Sequence, residues 1–210
     1  MRYYLLTILL ATWGVSSCSD KATQTATTYE QEIMTYRQHY KEDFIKEERS
    51  PLKGEDTGFI RFFPINESYK VMAELNLTPE SPVFELPTYS GKTKSYRKYG
   101  VLSFTLKDTL VELSVYQSQK LMQQEEYKNH LFVPFTDGTI VNAETYGGGR
   151  YIDLSLEDVK DGKIELDFNK CYNPYCAYAG GYSCPIPPDE NKLAISIRAG
   201  EKAYGKEIEH

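Results

Sequence analysis

The sequence predicts a mainly β protein, an antiparallel barrel or sandwich with one N-terminal amphipathic helix packed on it. Three observations predict this class. Short runs of β-branched and aromatic residues alternate with turn residues along most of the chain. Tyrosine, which favours strands, occurs 18 times against one tryptophan. A single stretch near the start has its apolar residues at helical rather than alternating spacing.

The start of the chain has the composition of a secretion signal. Arg2 supplies a positive charge, and residues 3–11 form an apolar run too short to span a bilayer as a helix. Residues 15–18, Val-Ser-Ser-Cys, match a lipobox, in which the thiol of Cys18 accepts diacylglycerol. We therefore expect a lipid-anchored protein of the bacterial cell envelope. Ser19, where inner-membrane lipoproteins commonly have aspartate, favours the outer membrane over the inner membrane.

The chain divides into three segments. Residues 1–17 are the predicted lipoprotein signal peptide. Residues 18–28 are small and polar, which predicts a lipidated flexible tether with a root-mean-square span of roughly 17–19 Å for about ten residues. Residues 29–210 have about the usual size of a single domain. Loss of Arg2 with the signal changes the formal net charge from −6 to −7, which argues against nucleic acid as a partner.

The first predicted element is a helix over residues 28–48. Thr28 and Gln31 form a capping box at its start, and Ser50-Pro51 ends it. An apolar stripe predicts that one face of the helix packs on the sheet. The stripe consists of Tyr29, Ile33, Tyr36, Tyr40 and Phe44.

Nine strands are predicted after the helix. Lys107-Asp108 joins two of them as a tight hairpin, with alternating apolar residues of both strands on one face. Barrels and sandwiches both consist of such short strands, so the pattern leaves the two open. The predicted strands are 57–63, 69–75, 82–88, 100–106, 109–116, 131–135, 150–154, 163–169 and 194–199.

An unusual set of polar residues lies between residues 144 and 191, together with four of the ten prolines and three of the four cysteines. Strand alternation directs Asp167 and Asn169 away from the apolar face and toward the proline-rich loop. Residues 147–150, Gly-Gly-Gly-Arg, offer consecutive N–H groups and a guanidinium, which would suit an anion. The alternative is an ordinary glycine turn whose arginine pairs with a nearby carboxylate.

Common catalytic and metal-binding motifs are absent from the sequence. It has three histidines and no HExxH, GxSxG or P-loop motif. The cysteines at 171, 176 and 184 lack CxxC pairing, so neither a metal nor a cofactor is predicted. Two carboxylates within about 5–9 Å of each other would still serve as an acid and a base. The candidates are Glu144, Asp153, Asp167, Glu190 and Glu201.

Seven ordered blocks of the sequence resemble the signature of DUF1684, a family of uncharacterised bacterial proteins. The blocks are 58–64, 131–137, 144–154, 167–169, 172–178, 184–188 and 199–202. The resemblance extends over roughly residues 30–205 and implies no activity, because none is assigned to the family. It puts weight on Cys176, Cys184 and nine candidate ligand-binding residues, while Cys171 and Asp189 depart from the usual pattern. The nine are Glu144, Tyr146, Arg150, Asp167, Asn169, Tyr172, Asn173, Glu190 and Asn191.

A disulfide between Cys176 and Cys184 is the expected pairing, because both belong to the signature that the chain resembles. Cys171 does not, and we expect it to be a lone thiol. Pro174 restricts the shorter loop, whereas Gly180-Gly181 lets the longer loop turn back on itself. The bond would contribute roughly 2–3 kcal/mol through loop entropy. The alternative is a pair of thiols, as in family members that remain in a reducing cytoplasm.

We therefore expect an uncharacterised cell-envelope lipoprotein that binds a small or anionic ligand at the polar segment 144–191. Its partners would be the membrane, through the lipid on Cys18, and a small molecule. Two alternatives stay open: a hydrolase-like enzyme that uses paired carboxylates, and a structural or interaction lipoprotein without a small-molecule site. A concave pocket with convergent polar groups would favour binding or catalysis, and a flat surface with paired ionisable groups would favour structure.

Overall fold

The computed structural model describes residues 20–207, and the side chains of residues 28–207. The predicted signal peptide and the lipidation site at Cys18 lie outside the described residues. Within this part of the chain, helix α1 (Asp20–Lys46) is followed by seven strands joined by loops and short 3₁₀ turns. The strands are β1 (Lys70–Leu77), β2 (Val83–Pro87), β3 (Thr93–Leu106), β4 (Thr109–Ser118), β5 (His130–Phe135), β6 (Arg150–Ser155) and β7 (Lys163–Asp167).

The strands form one antiparallel sheet that curls into a half-barrel, in the order β6-β5-β4-β3-β1-β7. The predicted class is therefore confirmed, and of the two open architectures the single curled sheet excludes the sandwich. Strand β3 is 14 residues long and pairs along one edge first with β2 and then with β1. At the bulge in β3, a Cβ on Gly100 would lie 2.6 Å from the carbonyl oxygen of Asn76, so only glycine fits.

The β3–β4 hairpin follows the predicted alternation. Lys107 and Asp108 have φ values of 49° and 63°, the left-handed conformation that a two-residue hairpin turn requires. The apolar residues of both strands lie in the main core, on the inner face of the half-barrel. These buried residues are Leu102, Phe104, Leu106, Val111, Leu113 and Val115.

Helix α1 buries its predicted apolar stripe but begins earlier than predicted. Tyr29, Ile33 and Phe44 are buried against the domain. Because the helix begins at Asp20, Thr28 lies inside it and is not its N-cap, so the predicted capping box is wrong. The predicted flexible tether is helical from Asp20, since no glycine or proline interrupts the segment and its alanines favour helix.

Two predicted strands, 57–63 and 194–199, are wrong. The first is replaced by a 3₁₀ turn (Gly54–Phe59) and a single bridge farther along. The second forms no ladder, although its residue Ile197 is fully buried in the main core. Both segments have the composition of strands, but their apolar residues fill gaps beside the half-barrel instead of pairing along its edges.

Candidate functional site

Arg150 begins β6 and points into the protein, where it is 1% exposed. Its guanidinium forms a buried ion pair with the Asp137 carboxylate. It also donates hydrogen bonds to three carbonyl oxygens, those of Ile197 (2.8 Å), Ala199 (2.6 Å) and Glu201 (3.2 Å). The arginine therefore ties the irregular C-terminal segment to the sheet through the inner face of β6.

The triple-glycine segment before Arg150 is a closely packed turn. Gly149 has a φ of 89°, and its N–H donates to the carbonyl of Tyr146 at 3.1 Å. A Cβ at this position would lie 2.6 Å from the carbonyl oxygen of Phe135 and 2.7 Å from Cγ of Pro187. The arrangement is the glycine turn with a carboxylate-paired arginine, rather than an open cradle for an anion.

Asp167 and Asn169 contact each other beneath α1 rather than beneath the proline-rich loop. The hydroxyl of Tyr29 donates to the Asp167 carboxylate at 3.1 Å, and Asn169 Nδ2 donates to the same carboxylate at 3.0 Å. The backbone N–H of Asn169 also donates to Asp167 Oδ1 at 2.9 Å, which starts a 3₁₀ turn. The predicted strand 163–169 therefore ends at Asp167.

Asn191 fills a gap between β4 and β5, which pair at a single position. Its Oδ1 accepts from the N–H of Ser114 at 2.7 Å, and its Nδ2 donates to the carbonyls of Ser114 (2.8 Å) and Pro134 (2.7 Å). The neighbouring Glu190 forms an ion pair with Lys98 at 2.7 Å. Both residues hold the proline-rich loop against the sheet.

Glu144 and Tyr146 lie at the surface turn before β6. The Glu144 carboxylate makes a two-point ion pair with Arg198, with both N–O distances 2.8 Å. The Tyr146 ring lies edge-on to Tyr89, with centroids 6.4 Å apart. These two candidates are partnered within the protein.

Glu201 is a fully buried carboxylate at the base of α1. It accepts hydrogen bonds from the hydroxyls of Tyr40 (3.0 Å) and Tyr178 (2.6 Å) and from the backbone N–H of Asn173 (2.9 Å). Burial raises the pKa of Glu201 to about 7, and these hydrogen bonds offset only part of that effect. The Asn173 side chain is buried too and donates to the carbonyl of Lys202 at 2.8 Å.

A cleft of about 650 Å³ opens on the outer face of the sheet, and we call it the aromatic cleft. Strands β3, β5 and β6 supply one wall, and the chain from residue 172 to residue 185 supplies the other. Strand alternation places Tyr151 and Asp153 of β6 on this outer face, opposite Arg150. The rings that line it include Tyr96, Tyr127, Phe132, Tyr151, Tyr172 and Tyr182.

Asp153 is the carboxylate of the aromatic cleft. It accepts a hydrogen bond from the Tyr172 hydroxyl at 2.6 Å, and His130 Nε2 lies 2.9 Å from its other oxygen. Burial and the Asp153 charge raise the pKa of Tyr172 well above its usual value, so the hydroxyl remains a donor. Because a carboxylate only accepts, His130 holds a proton on Nε2, while its Nδ1 is buried and has no partner in the described residues.

Three cations also line the aromatic cleft: Arg49, Lys92 and Lys94. Among residues 28–207, whose side chains the structure describes, none of them has a carboxylate oxygen within 4.0 Å. The surrounding protein desolvates the Lys94 ammonium, and Lys120 repels it, so the pKa of Lys94 is lowered from its usual value. The cleft thus combines aromatic rings with positive charge that no carboxylate among the described side chains neutralises.

Cys176 and Cys184 are joined by a disulfide, with their Cα atoms 6.2 Å apart, inside the range that such a bond allows. The bond closes the loop that carries Tyr182, so it braces the wall of the aromatic cleft. Cys171 is a free, buried thiol, and burial raises its pKa to about 11.

Two of the nine predicted ligand-binding residues, Tyr172 and Asn173, line the aromatic cleft. Lys92, Lys94 and the pairing of His130 with Asp153 were not predicted from the sequence. One available signal was the pattern Lys92-Thr93-Lys94-Ser95-Tyr96, whose alternation is typical of a strand with positive charge and an aromatic ring on one face.

Metal ligation and membrane spanning find no support in the part of the chain that the structure describes. Among the side chains of residues 28–207, no three from histidine, cysteine or acidic residues converge as ligands of a metal ion would. In that same range, no helix combines the length and apolar character needed to cross a bilayer.

Comparisons with known proteins identify the family and give no activity. The sequence profile of DUF1684, described as a protein of unknown function, matches residues 58–202. The chain is similar to the solution NMR structure of an uncharacterized protein from Haloarcula marismortui, with 31% sequence identity and a TM-score of 0.64. That match covers 85% of this chain and 96% of the other. No curated protein matches the chain. The resemblance found in the sequence is therefore confirmed, and the chain belongs to the DUF1684 family of proteins of unknown function.

Proposed function

We propose that this domain is a binding module whose aromatic cleft takes a small ligand with a ring-shaped body. The observation that carries the proposal is the cleft itself: about 650 Å³ of open volume walled by tyrosine rings and bordered by cations that have no carboxylate partner among the described side chains. Small-molecule sites commonly occupy about 300–1,000 Å³ and combine aromatic walls with a few polar groups. The cleft has both properties.

The rings support binding because they surround open volume. Tyr127 is 41% exposed, and Tyr172 and Tyr182 are half-buried at the cleft wall. A purely structural aromatic cluster would close these faces against each other. A ring-shaped ligand placed against their exposed faces would add ring contacts, at about 0.5–1.5 kcal/mol per ring pair.

In the aromatic cleft, binding is favoured over hydrolysis by paired carboxylates. Such a mechanism needs an acid and a base within about 5–9 Å, and Asp153 is the one carboxylate among the lining residues of the cleft. Both Asp153 oxygens already accept hydrogen bonds. The Nδ1 atom of His130 is buried and has no partner among the described residues, and its Nε2 is engaged by Asp153.

We also propose that a lipid on Cys18 anchors the protein to a membrane of the cell envelope. The outer membrane is preferred over the inner membrane. The lipobox supports it, and α1 begins two residues after that cysteine, which would hold the domain beside the bilayer. Cys18→Ser should abolish incorporation of a labelled fatty acid. Equal incorporation in the wild type and the variant would contradict the lipid anchor. The proposal of ligand binding in the aromatic cleft would be unaffected.

The binding proposal is tested by saturation-transfer NMR on the purified mature protein with a set of neutral and acidic ring compounds, including tyrosine-like phenols and monosaccharides. Tyr182→Ala removes a ring from the cleft and should weaken binding by about 2- to 10-fold. Tyr89→Ala removes a ring that is 45% exposed elsewhere on the surface and should bind as the wild type does. If none of the compounds binds, or if Tyr182→Ala binds as well as the wild type, the proposal is wrong.

A further inference from the structure

We propose that the ligand of the aromatic cleft carries a phosphomonoester, which is held by Lys92, Lys94 and Arg49. This inference rests on the proposed function and specifies the chemistry of its ligand. A phosphorylated ring compound can be a free sugar phosphate or part of a lipid headgroup, and the phosphate is common to both.

The first step is the placement of two lysines at the start of β3. Lys94 lies opposite Leu86 in the β2–β3 ladder, and Leu86 packs with Tyr96, Phe132 and Tyr151, three rings that line the aromatic cleft. Because side chains alternate along a strand, Lys94 and Tyr96 share the outer face. Lys92 lies just before β3 and lines the same cleft.

A further lysine adds to this charge from the turn after β4. Tyr96 pairs with Ser118, the last residue of β4, and the N–H of Gln119 donates to the carbonyl of Ser95 at 3.0 Å. The next residue, Lys120, lies in the turn and is close enough to Lys94 to repel it. The repulsion between these two ammonium groups contributes to the lowered pKa of Lys94, and a bound anion would relieve it.

Many other lysines of the protein lie beside an acidic side chain that neutralises them. Eight of them have a carboxylate within 4.0 Å. They are Lys46, Lys70, Lys98, Lys128, Lys163, Lys170, Lys192 and Lys206. Lys92, Lys94 and Arg49 lack this neutralisation among the described residues, although the chain has a net charge of −6.

The charge balance of the cleft selects a dianion. Three lining cations face one carboxylate, Asp153, and that carboxylate is engaged by His130 and Tyr172. The excess of two positive charges matches a phosphomonoester, which carries about −1.5 to −2 at pH 7 and offers three acceptor oxygens. A carboxylate brings a single charge. Lysine binds phosphate as a point charge, and arginine from the opposite wall adds a fork of N–H donors.

The test is isothermal titration of the purified mature protein with four probes: glucose, glucuronate, glucose 6-phosphate and a water-soluble, short-chain phosphatidylinositol 4-phosphate. We expect both phosphates to bind at least tenfold more tightly than glucose or glucuronate. Tighter binding of the inositol lipid would identify a headgroup as the source, and equal or tighter binding of glucose 6-phosphate would identify a free sugar phosphate. Either order supports the proposal.

Single substitutions test the contacts to the phosphate separately from the contacts to the ring. Lys94→Gln and Lys92→Gln should each lower phosphate affinity by roughly tenfold, the loss expected for one charge-assisted hydrogen bond. Lys160→Gln, at an exposed lysine of a different cleft between β6 and β7, should have no effect. If glucose and glucuronate bind as tightly as the phosphates, or if Lys94→Gln binds the phosphates as tightly as the wild type, the proposal of a phosphate ligand is wrong. The proposal that the cleft binds a ring compound would then still stand. If no probe or ring compound binds, both proposals fail.

Discussion

The two faces of strand β6 differ in how their polar groups are satisfied. On the inner face, Arg150 is surrounded by Asp137 and three carbonyl oxygens, and its donors are used within the protein. On the outer face, Asp153 lies at the floor of an open cleft whose cations have no carboxylate partner among the described residues. Alternate residues of the same strand thus have different roles. Those on the inner face stabilise the fold, and those on the outer face form the surface of the cleft.

The contrast indicates that the polar residues whose hydrogen bonds are all made inside the protein are not the residues that face a ligand. A polar group inside the protein costs free energy unless it is fully bonded, so its partners are fixed by the fold. A ligand site must instead leave groups for the ligand to satisfy. Most of the polar signature residues are of the first kind, which is why a signature alone does not locate a ligand.

The largest effect is expected from Arg150→Met, which leaves Asp137 buried without its cation. Removing one partner of a buried ion pair destabilises by about 3–5 kcal/mol, and urea unfolding measures the loss. Arg198→Met is the matched control, since Arg198 also pairs with a carboxylate but is 54% exposed. We expect its unfolding midpoint to match that of the wild type.

The outcome of the Arg150 experiment decides whether the inner face is structural. If Arg150→Met does not fold, Arg150→Lys keeps the charge without the fork of donors and should unfold at an intermediate urea concentration. A wild-type midpoint for Arg150→Met would remove the contrast between the two faces of β6.

The second effect is a pH dependence caused by Glu201. In the unfolded chain this carboxyl titrates near 4.3, whereas in the folded protein its pKa is about 7. The folded state therefore binds more protons between these values, and stability falls as the pH rises through this window. Below it, the contribution is fully present, because the carboxyl is protonated in both states.

Glu201→Gln removes this titration and keeps the size and polarity of the side chain. Between pH 4 and pH 8, the wild type should lose roughly 3 kcal/mol of unfolding free energy relative to the variant, from a pKa difference of between two and three units. Urea unfolding across the pH range measures the difference. If the unfolding free energies of the two proteins change with pH in parallel, the pKa of Glu201 is not raised in the folded protein.

The fold was largely predictable because its local signals are periodic. The β3–β4 hairpin and the α1 stripe followed from alternation and helical spacing, and both are present. Segments 57–63 and 194–199 have strand-like residues, but strand pairing depends on a partner edge that composition does not specify. The start of α1 was missed because Thr28 and Gln31 have capping side chains, and the residues before them also permit helix.

The candidate site was less predictable, since its parts come from distant places in the sequence. Tyr172 was identified as a candidate and lines the cleft, whereas Arg150 was identified by the same argument and lies in the core. Lys94 and His130 are separated from Tyr172 by tens of residues and meet it only through sheet order. Residue type gives the chemistry of a group, and the three-dimensional register decides which face it occupies.

The smallest effect is expected where α1 meets the sheet, at Tyr29. Tyr29→Phe removes the hydroxyl that donates to Asp167 and accepts from Asn169 Nδ2 at 2.9 Å, while Asn169 still donates to that carboxylate from its backbone and side chain. Loss of these two hydrogen bonds costs about 2 kcal/mol. The loss should appear as faster amide hydrogen exchange in residues 29–46, the described part of α1 that packs on the sheet, with slower exchange retained in β3 and β4. Thr35→Ala, at an exposed hydroxyl of the same helix, is the control. Unchanged exchange in Tyr29→Phe would mean that the apolar stripe alone holds α1, and that this buried polar contact, unlike the one at Arg150, contributes little.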